Sequence, residues 1–352
     1  MWKKLNEILE EVDAVLLTSP HNLRYFSGFC GGEGVCIIGK SFRVLFVDSR
    51  YTVEAKRDAK DFEVTEFQGG KLLDMIKTTL IENGVKTIGF EDSEMSVSQY
   101  NSYREKLAEI EFTGLGTRLN RLRMIKTETE LENLRYAEKI GDMAFNAVLP
   151  MIKVGVSEIE IAAEIEYQMR KLGASGTSFD TIVVSGLKSA MPHGKPDSKK
   201  IENGDFVTMD FGCVYNGYCS DMTRTVVVEK ASEEQIKIYN TVLAAQIKGL
   251  ETIRAGISGK DADSIARSVI ESAGYGKYFG HSLGHGVGLL IHELPNLSPM
   301  SDIILEENMV VTCEPGIYIE EIGGVRIEDM VVVKNGGIEN LTSSTKELVV
   351  CG

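Results

Sequence analysis

The chain repeats itself. Lys-Val-Gly-Val-Ser at 153–157 returns as Arg-Ala-Gly-Ile-Ser at 254–258, a spacing of 101 residues, and Gly173 is matched by Gly274 at the same spacing. Further on, Val207-Thr208-Met209-Asp210-Phe211-Gly212 parallels Val311-Thr312-Cys313-Glu314-Pro315-Gly316. Asp221, followed by Met222 and Val226-Val227-Val228, parallels Glu328, followed by Met330 and Val331-Val332-Val333. Such a repeat predicts two related halves packed about a shared axis, each bringing two carboxylates to matching places. Four carboxylates at one centre repel one another. A pair of divalent cations is the simple remedy.

The remaining elements frame that centre. Residues 1–120 alternate helix and strand signals: a helix over 3–12 and strands at 14–17, 35–38, 44–47 and 87–90. They read as a small α/β domain with a mostly buried sheet. Gly31-Gly32-Glu33-Gly34 lacks the spacing and Lys-Ser/Thr ending of a phosphate loop, and reads as a turn. Residues 121–352 read as a second domain. Thr127-x-x-Glu130, Ser157-x-x-Glu160 and Ser232-x-x-Gln235 have the form of capping boxes, and Ser258 opens a fourth helix. Strand-like runs lie at 181–185, 205–211, 218–228, 287–292, 309–313, 316–320 and 325–333. The fold class is α/β (α+β), with paired helices on one face of a curved antiparallel sheet and the metal site on the concave face.

Bulk properties exclude several classes of partner. A net charge of −14 over 352 residues argues against nucleic acid or an anionic membrane as the main partner. No stretch approaches the roughly 18 apolar residues of a membrane helix, and the amphipathic N-terminus lacks the apolar run of a signal peptide. Six cysteines without a CxxC pair suit a reducing, cytoplasmic compartment. Cys213, Cys219 and Cys313, near the carboxylates, read as buried inert thiols.

Asn216-Gly217 is a type I′ hairpin signal that pairs residues whose numbers sum to 433. Asp210 then faces Thr223, and Asp221 lies two residues away on the same face. The stretch His281-Ser-Leu-Gly-His285-Gly-Val-Gly-Leu-Leu-Ile-His292-Glu-Leu-Pro295 holds three of the five histidines, and His193 follows Met191-Pro192. A spacing of seven forbids His285 and His292 from sharing one side of a regular strand, so a turn or bulge intervenes. Arg326 and Glu328 share a strand face; the arginine orients the glutamate or pairs with another carboxylate. Oxygen-rich ligation with one imidazole suits Mn²⁺, Co²⁺ or Fe²⁺ better than a tetrahedral structural Zn²⁺. The reaction class this implies is metal-assisted hydrolysis.

These motifs resemble those of the pita-bread metallopeptidases, and within them the Xaa-Pro group, aminopeptidase P and prolidase. The matching pieces are Ser189-Ala190-x-Pro192-His193-Gly194, Asp210-Phe-Gly, Ser220-Asp221-Met-Thr-Arg-Thr, Gly284-His285-Gly-x-Gly, His292-Glu-x-Pro, Glu314-Pro-Gly and Gly324-Val-Arg-Ile-Glu328-Asp. Asn22-Leu-Arg-Tyr-Phe-Ser-Gly-Phe29 is similar to the creatinase/prolidase N-terminal domain. The resemblance implies a pseudo-twofold catalytic domain with Asp210, Asp221, His285, Glu314 and Glu328 holding two divalent ions, Mn²⁺ ahead of Co²⁺, Fe²⁺ or Zn²⁺. It implies Glu314 as proton shuttle, His193 and His292 on the substrate, and Arg326 supporting Glu328. It also implies a homodimer, with the N-terminal domain limiting substrate length, acting on short proline-containing peptides.

Within that group prolidases carry an arginine between the His292-like and Glu314-like residues, and residues 293–313 here contain no arginine or lysine. The expectation is therefore an Xaa-Pro aminopeptidase, with an Xaa-Pro dipeptidase as the alternative. A methionine aminopeptidase, a creatinase-like amidinohydrolase and a non-catalytic pita-bread binding protein are more distant readings.

Overall fold

Apolar runs separated by helical stretches build a six-stranded sheet in the first of two units, Met1–Leu122 and Arg123–Gly352. The computed structural model describes residues 1–352. The strands of the first unit are β1 (Ala14–Leu17), β2 (Val35–Gly39), β3 (Arg43–Val47), β4 (Glu63–Glu66), β5 (Thr87–Phe90) and β6 (Glu111–Gly114). Their order is β4-β3-β2-β1-β5-β6. β1 and β2 are buried at every residue, so both read as unbroken apolar runs. The edge strands β4 and β6 are polar and largely exposed, which hides them from a hydrophobic pattern. Helices α1 (Asn6–Glu11), α2 (Pro20–Ser27), α3 (Thr52–Asp58), α4 (Leu72–Glu82) and α5 (Val97–Lys106) intervene, and α6 (Arg118–Met124) follows. The helix expected over 3–12 is a 3₁₀ turn at Trp2–Leu5 running into α1.

In the second unit the repeat is visible in the backbone. Four helices, α7 (Glu128–Val148), α8 (Glu158–Lys171), α9 (Glu233–Thr252) and α10 (Gly259–Ser272), begin at the caps Thr127, Ser157, Ser232 and Ser258. Before α8 and α10, Gly155 and Gly256 both take positive φ, 89° and 91°, a region side-chain-bearing residues rarely enter. Both turns close alike. The N–H groups of Gly155 and Gly256 donate to the carbonyls of Ile201 and Leu305 at 2.9 Å. The N–H groups of Ile201 and Leu305 return to the carbonyls of Val156 and Ile257 at 2.8 Å.

The strands are β7 (Gly176–Thr177), β8 (Ile182–Ser185), β9 (Phe206–Phe211), β10 (Cys213–Tyr215), β11 (Tyr218–Cys219), β12 (Met222–Val228), β13 (Gly284–Gly286), β14 (Glu293–Leu297), β15 (Val310–Cys313), β16 (Gly316–Ile319), β17 (Gly323–Arg326), β18 (Asp329–Lys334), β19 (Gly337–Asn340) and β20 (Val350–Cys351). One half-sheet runs β20-β12-β9-β8 and the other β14-β13-β15-β18-β19. α7 and α8 pack on the first through Ala137, Phe145, Ile161 and Ile165 against Val183, Val207, Met209 and Val226. α10 packs on the second through Ala262 and Ala266 against Leu297, Val311 and Val331. Burying each Val, Leu or Ile of these cores contributes about 1.5–3 kcal/mol.

The expected single antiparallel sheet is corrected in four ways. It is divided into half-sheets, and β12 pairs β20 in parallel. The runs 218–228 and 325–333 break beside Asp221 and Glu328, where the Glu328 N–H leaves its own ladder and donates to the Thr223 carbonyl of the other half at 3.1 Å. The run 287–292 is not a strand. It winds around the buried carboxylate of Glu293, which accepts from the Leu290 N–H and from Arg123 and Lys126.

Candidate metal centre

The hairpin turn sets the first two carboxylates. Asn216 and Gly217 both take positive φ, 45° and 77°, as a type I′ turn requires. The resulting register pairs Val214 with Cys219 and Asp210 with Thr223. Asp210 lies in β9, and Asp221 immediately precedes β12. In the other half Glu314 immediately follows β15 and Glu328 immediately precedes β18. His285 sits in the middle of β13, where the register shifts by a bulge between His285 and Gly286. That bulge and the 287–292 turn bring the rings of His285 and His292 to 4.4 Å between centroids, despite their spacing of seven.

All five side chains line one cavity of about 820 Å³. Ligating atoms of Asp221, His285 and Glu328 lie within 4.8 Å of one another. His285 Nε2 is 3.4 Å from Asp221 Oδ2 and 3.4 Å from Glu314 Oε1. His285 Nδ1 is 3.1 Å from the Gly286 carbonyl. A carbonyl only accepts, so Nδ1 carries the hydrogen and Nε2 presents its lone pair to the carboxylates.

The electrostatics are those of an acidic cluster held out of water. Burial, followed by the charges of Asp210, Glu314 and Glu138, raises Asp221 well above the usual carboxylate range. Burial, followed by Asp221, Glu314 and Asp210, does the same to Glu328. Glu314 is raised chiefly by burial. Two buried carboxylate oxygens, Asp210 Oδ1 and Glu328 Oε1, have no hydrogen-bond partner. Buried polar atoms ordinarily have one. Orphaned anionic oxygens, mutual repulsion and a bare imidazole nitrogen together fit divalent cations. The thiols do not join them: burial pushes Cys213 and Cys219 up to about 12 and Cys313 well up, so all three are protonated.

A second layer of contacts, which sequence reasoning missed, orients this set. Thr223 Oγ1 donates to Glu328 Oε2 at 2.6 Å and Thr312 Oγ1 to Glu314 Oε1 at 3.2 Å. Glu138 accepts from the Asp221 N–H at 3.3 Å and from Thr342 Oγ1 at 2.6 Å. Arg326 takes the second of its two expected roles and pairs with another carboxylate. Its guanidinium donates to Asp210 Oδ2 at 2.6 Å, to Tyr318 Oη at 2.8 Å and to Thr223 Oγ1 at 3.0 Å. It therefore supports Asp210 directly and reaches Glu328 only through Thr223.

Tyr318 Oη lies 2.9 Å from His281 Nε2, and His281 Nδ1 lies 2.8 Å from the Ser282 carbonyl. Burial, with the nearby Arg326 charge, brings His281 down to about 4, so it is neutral and accepts from Tyr318. Tyr318 carries no sequence signal of its own, and His281 stands out only as one of the clustered histidines; folding ties both to Arg326.

His193 and His292 are exposed residues of the same cavity wall. Partial desolvation of its ring against the cavity wall, followed by the charges of His285 and His193, lowers His292.

Residues 132–335 match metallopeptidase family M24, and residues 2–125 match the creatinase/prolidase N-terminal domain. An Xaa-Pro dipeptidase from Pyrococcus furiosus is 41% identical over 351 residues, 99% of either chain. A solved Xaa-Pro dipeptidase from Bacillus anthracis is 45% identical with a TM-score of 0.96, covering 99% of this chain and 98% of that one. A solved X-Pro aminopeptidase from Thermotoga maritima is 43% identical with a TM-score of 0.92, covering 98% of this chain and 99% of that one.

Proposed function

The chain belongs to metallopeptidase family M24 and carries a creatinase/prolidase N-terminal domain, and from that premise we propose that it is an Xaa-Pro dipeptidase. Whole-length similarity to proteins named Xaa-Pro dipeptidase carries this reading. It displaces the aminopeptidase expected from the lack of arginine and lysine in 293–313. The aminopeptidase stays as a second reading, because the Thermotoga maritima protein bears that name and has the same extent.

In the proposed site Asp210, Asp221, His285, Glu314 and Glu328 hold two divalent ions, Mn²⁺ first. Bound there, the ions would supply a nucleophilic oxygen near neutral pH and polarise the scissile carbonyl. The residues of the chain do the rest. The nitrogen of an Xaa-Pro bond has no hydrogen, so it must gain a proton to leave as proline. Glu314, a carboxylate on the wall of the same cavity, is the residue proposed to carry that proton. Thr312 donates to Oε1 and holds the carboxyl group in place. His193 and His292 hold the substrate carbonyl and the leaving nitrogen from the cavity wall. Arg326 fixes Asp210.

The test uses protein stripped with a chelator, with and without added Mn²⁺ or Co²⁺, on Gly-Pro and on Ala-Pro-Ala. Metal-dependent hydrolysis favouring Gly-Pro is expected. Faster cleavage of the tripeptide would establish the aminopeptidase instead, and cleavage of neither would remove both readings.

A further expected result concerns His193. His193→Ala lowers kcat by about a hundredfold, the usual loss for one donor to a developing oxyanion, with bound metal unchanged by elemental analysis. An unchanged kcat removes His193 from the mechanism.

A further inference from the structure

An Xaa-Pro dipeptide ends in a carboxylate on the proline ring itself, one residue beyond the scissile bond. An enzyme that prefers the dipeptide needs a cation to meet it. The segment 293–313 offers no arginine or lysine. Arg326 is 3% exposed and committed to Asp210, Tyr318 and Thr223. Lys195 is the one lysine or arginine lining the cavity.

Its setting suits the task. Lys195 stands two residues beyond His193, and both line the cavity. Gly194 between them is pressed against the second unit's sheet: a Cβ there would lie 2.7 Å from Val184 Cγ1. Pro196 follows with its restricted φ. The backbone that carries His193 and Lys195 is thus held on both sides, while the ammonium itself is free to move. Its partner is Asp180, another cavity residue, at 3.2 Å, and the two side chains are 81% and 89% exposed. Exposed pairs of this kind contribute little, so Lys195 can exchange Asp180 for a substrate carboxylate.

We propose that Lys195 is the specificity-determining residue that binds the free carboxylate of the dipeptide, and that Asp180 competes with the substrate for it. This rests on the dipeptidase reading above. A charge-assisted hydrogen bond to a carboxylate, weakened here by solvent, corresponds to a factor of about ten.

The experiment compares kcat/KM for Gly-Pro with that for its C-terminal amide, in the metal-loaded full-length enzyme. Lys195→Met is expected to lower the ratio of the two about tenfold, through KM for Gly-Pro with kcat little moved. Lys195→Arg is expected to retain most of the wild-type ratio, and Asp180→Asn to raise it. A Lys195→Met enzyme whose ratio stays within twofold of wild type overturns the proposal. The two readings fail separately. A wild type that does not prefer Gly-Pro to Ala-Pro-Ala sinks the dipeptidase reading and Lys195 with it. A wild type that prefers Gly-Pro, with a ratio insensitive to residue 195, sinks Lys195 alone.

Discussion

Asp221→Asn is expected to abolish turnover while leaving the metal-free protein no less stable than wild type. The substitution keeps the shape of the side chain and removes its charge. Loss of an outer contact to a metal ligand typically lowers affinity or activity about 10–100-fold, and loss of a ligand itself exceeds that. At least one ion per chain should disappear from elemental analysis. The stability half follows from the electrostatics. Without cations, Asp221 is buried beside Asp210, Glu314 and Glu138, and its carboxyl is raised well above its ordinary range. A group in that state destabilises the fold at neutral pH, so removing its charge relieves repulsion. Wild-type turnover in Asp221→Asn would end the ligand assignment. A metal-free variant that melts well below wild type would show that the aspartate is structural.

The same cluster sets a pH dependence. Carboxyls whose folded pKa lies above the unfolded value bind more protons folded than unfolded in the window between the two. Stability therefore falls as pH rises through that window. Glu138, raised to about 8 chiefly by burial, starts from an unfolded value near 4.3. Between pH 6.5 and 8 it alone accounts for about 2 kcal/mol. Asp221, Glu314 and Glu328 act in the same direction.

Below pH 6.5 the sign becomes mixed. His281, lowered to about 4, and His292 bind fewer protons folded than unfolded, and they favour higher pH there. The informative comparison is therefore pH 6.5 against pH 8.5, with chelator present. The metal-free protein should melt higher at pH 6.5. Added Mn²⁺ should reverse the order, because ligands bind metal deprotonated. Each site at a hundred times its Kd adds about 2.7 kcal/mol. A metal-free melting temperature that rises from pH 6.5 to 8.5 would contradict the reading of a charge-strained cluster.

Much of this was legible before folding wherever a signal was local. Asn216-Gly217 sets a register by turn geometry alone, and the capping boxes mark helix starts by chemistry within four residues. The repeat grouped Asp210, Asp221, Glu314 and Glu328 because it compares the chain with itself, and the structure places them with His285 in one cavity.

What escaped depends on distant partners. Thr223 meets Glu328 across 105 residues, and Glu138 meets Thr342 across 204. The 287–292 run looked like a strand because its apolar residues are typical of one. Arg123 and Lys126, 170 and 167 residues from Glu293, decide otherwise. Burial alone would raise Glu293, yet Lys126 and Arg123 hold it below its ordinary value. The ionised carboxylate then organises the turn that delivers His292. Lys195 directly follows the Ser189–Gly194 motif, but only the shape of the cavity singles it out.

The crossing of the Glu328 N–H to the Thr223 carbonyl makes the seam between the two halves the keystone of the catalytic unit. A centre assembled there is the property of neither half. Each alone would hold one pair of carboxylates and no reason to bring them together. Folding the unit and building the proposed centre are accordingly one event. Ions bound at the seam would act as a rivet between stretches of chain more than a hundred residues apart, closing a long loop whose entropy opposes folding.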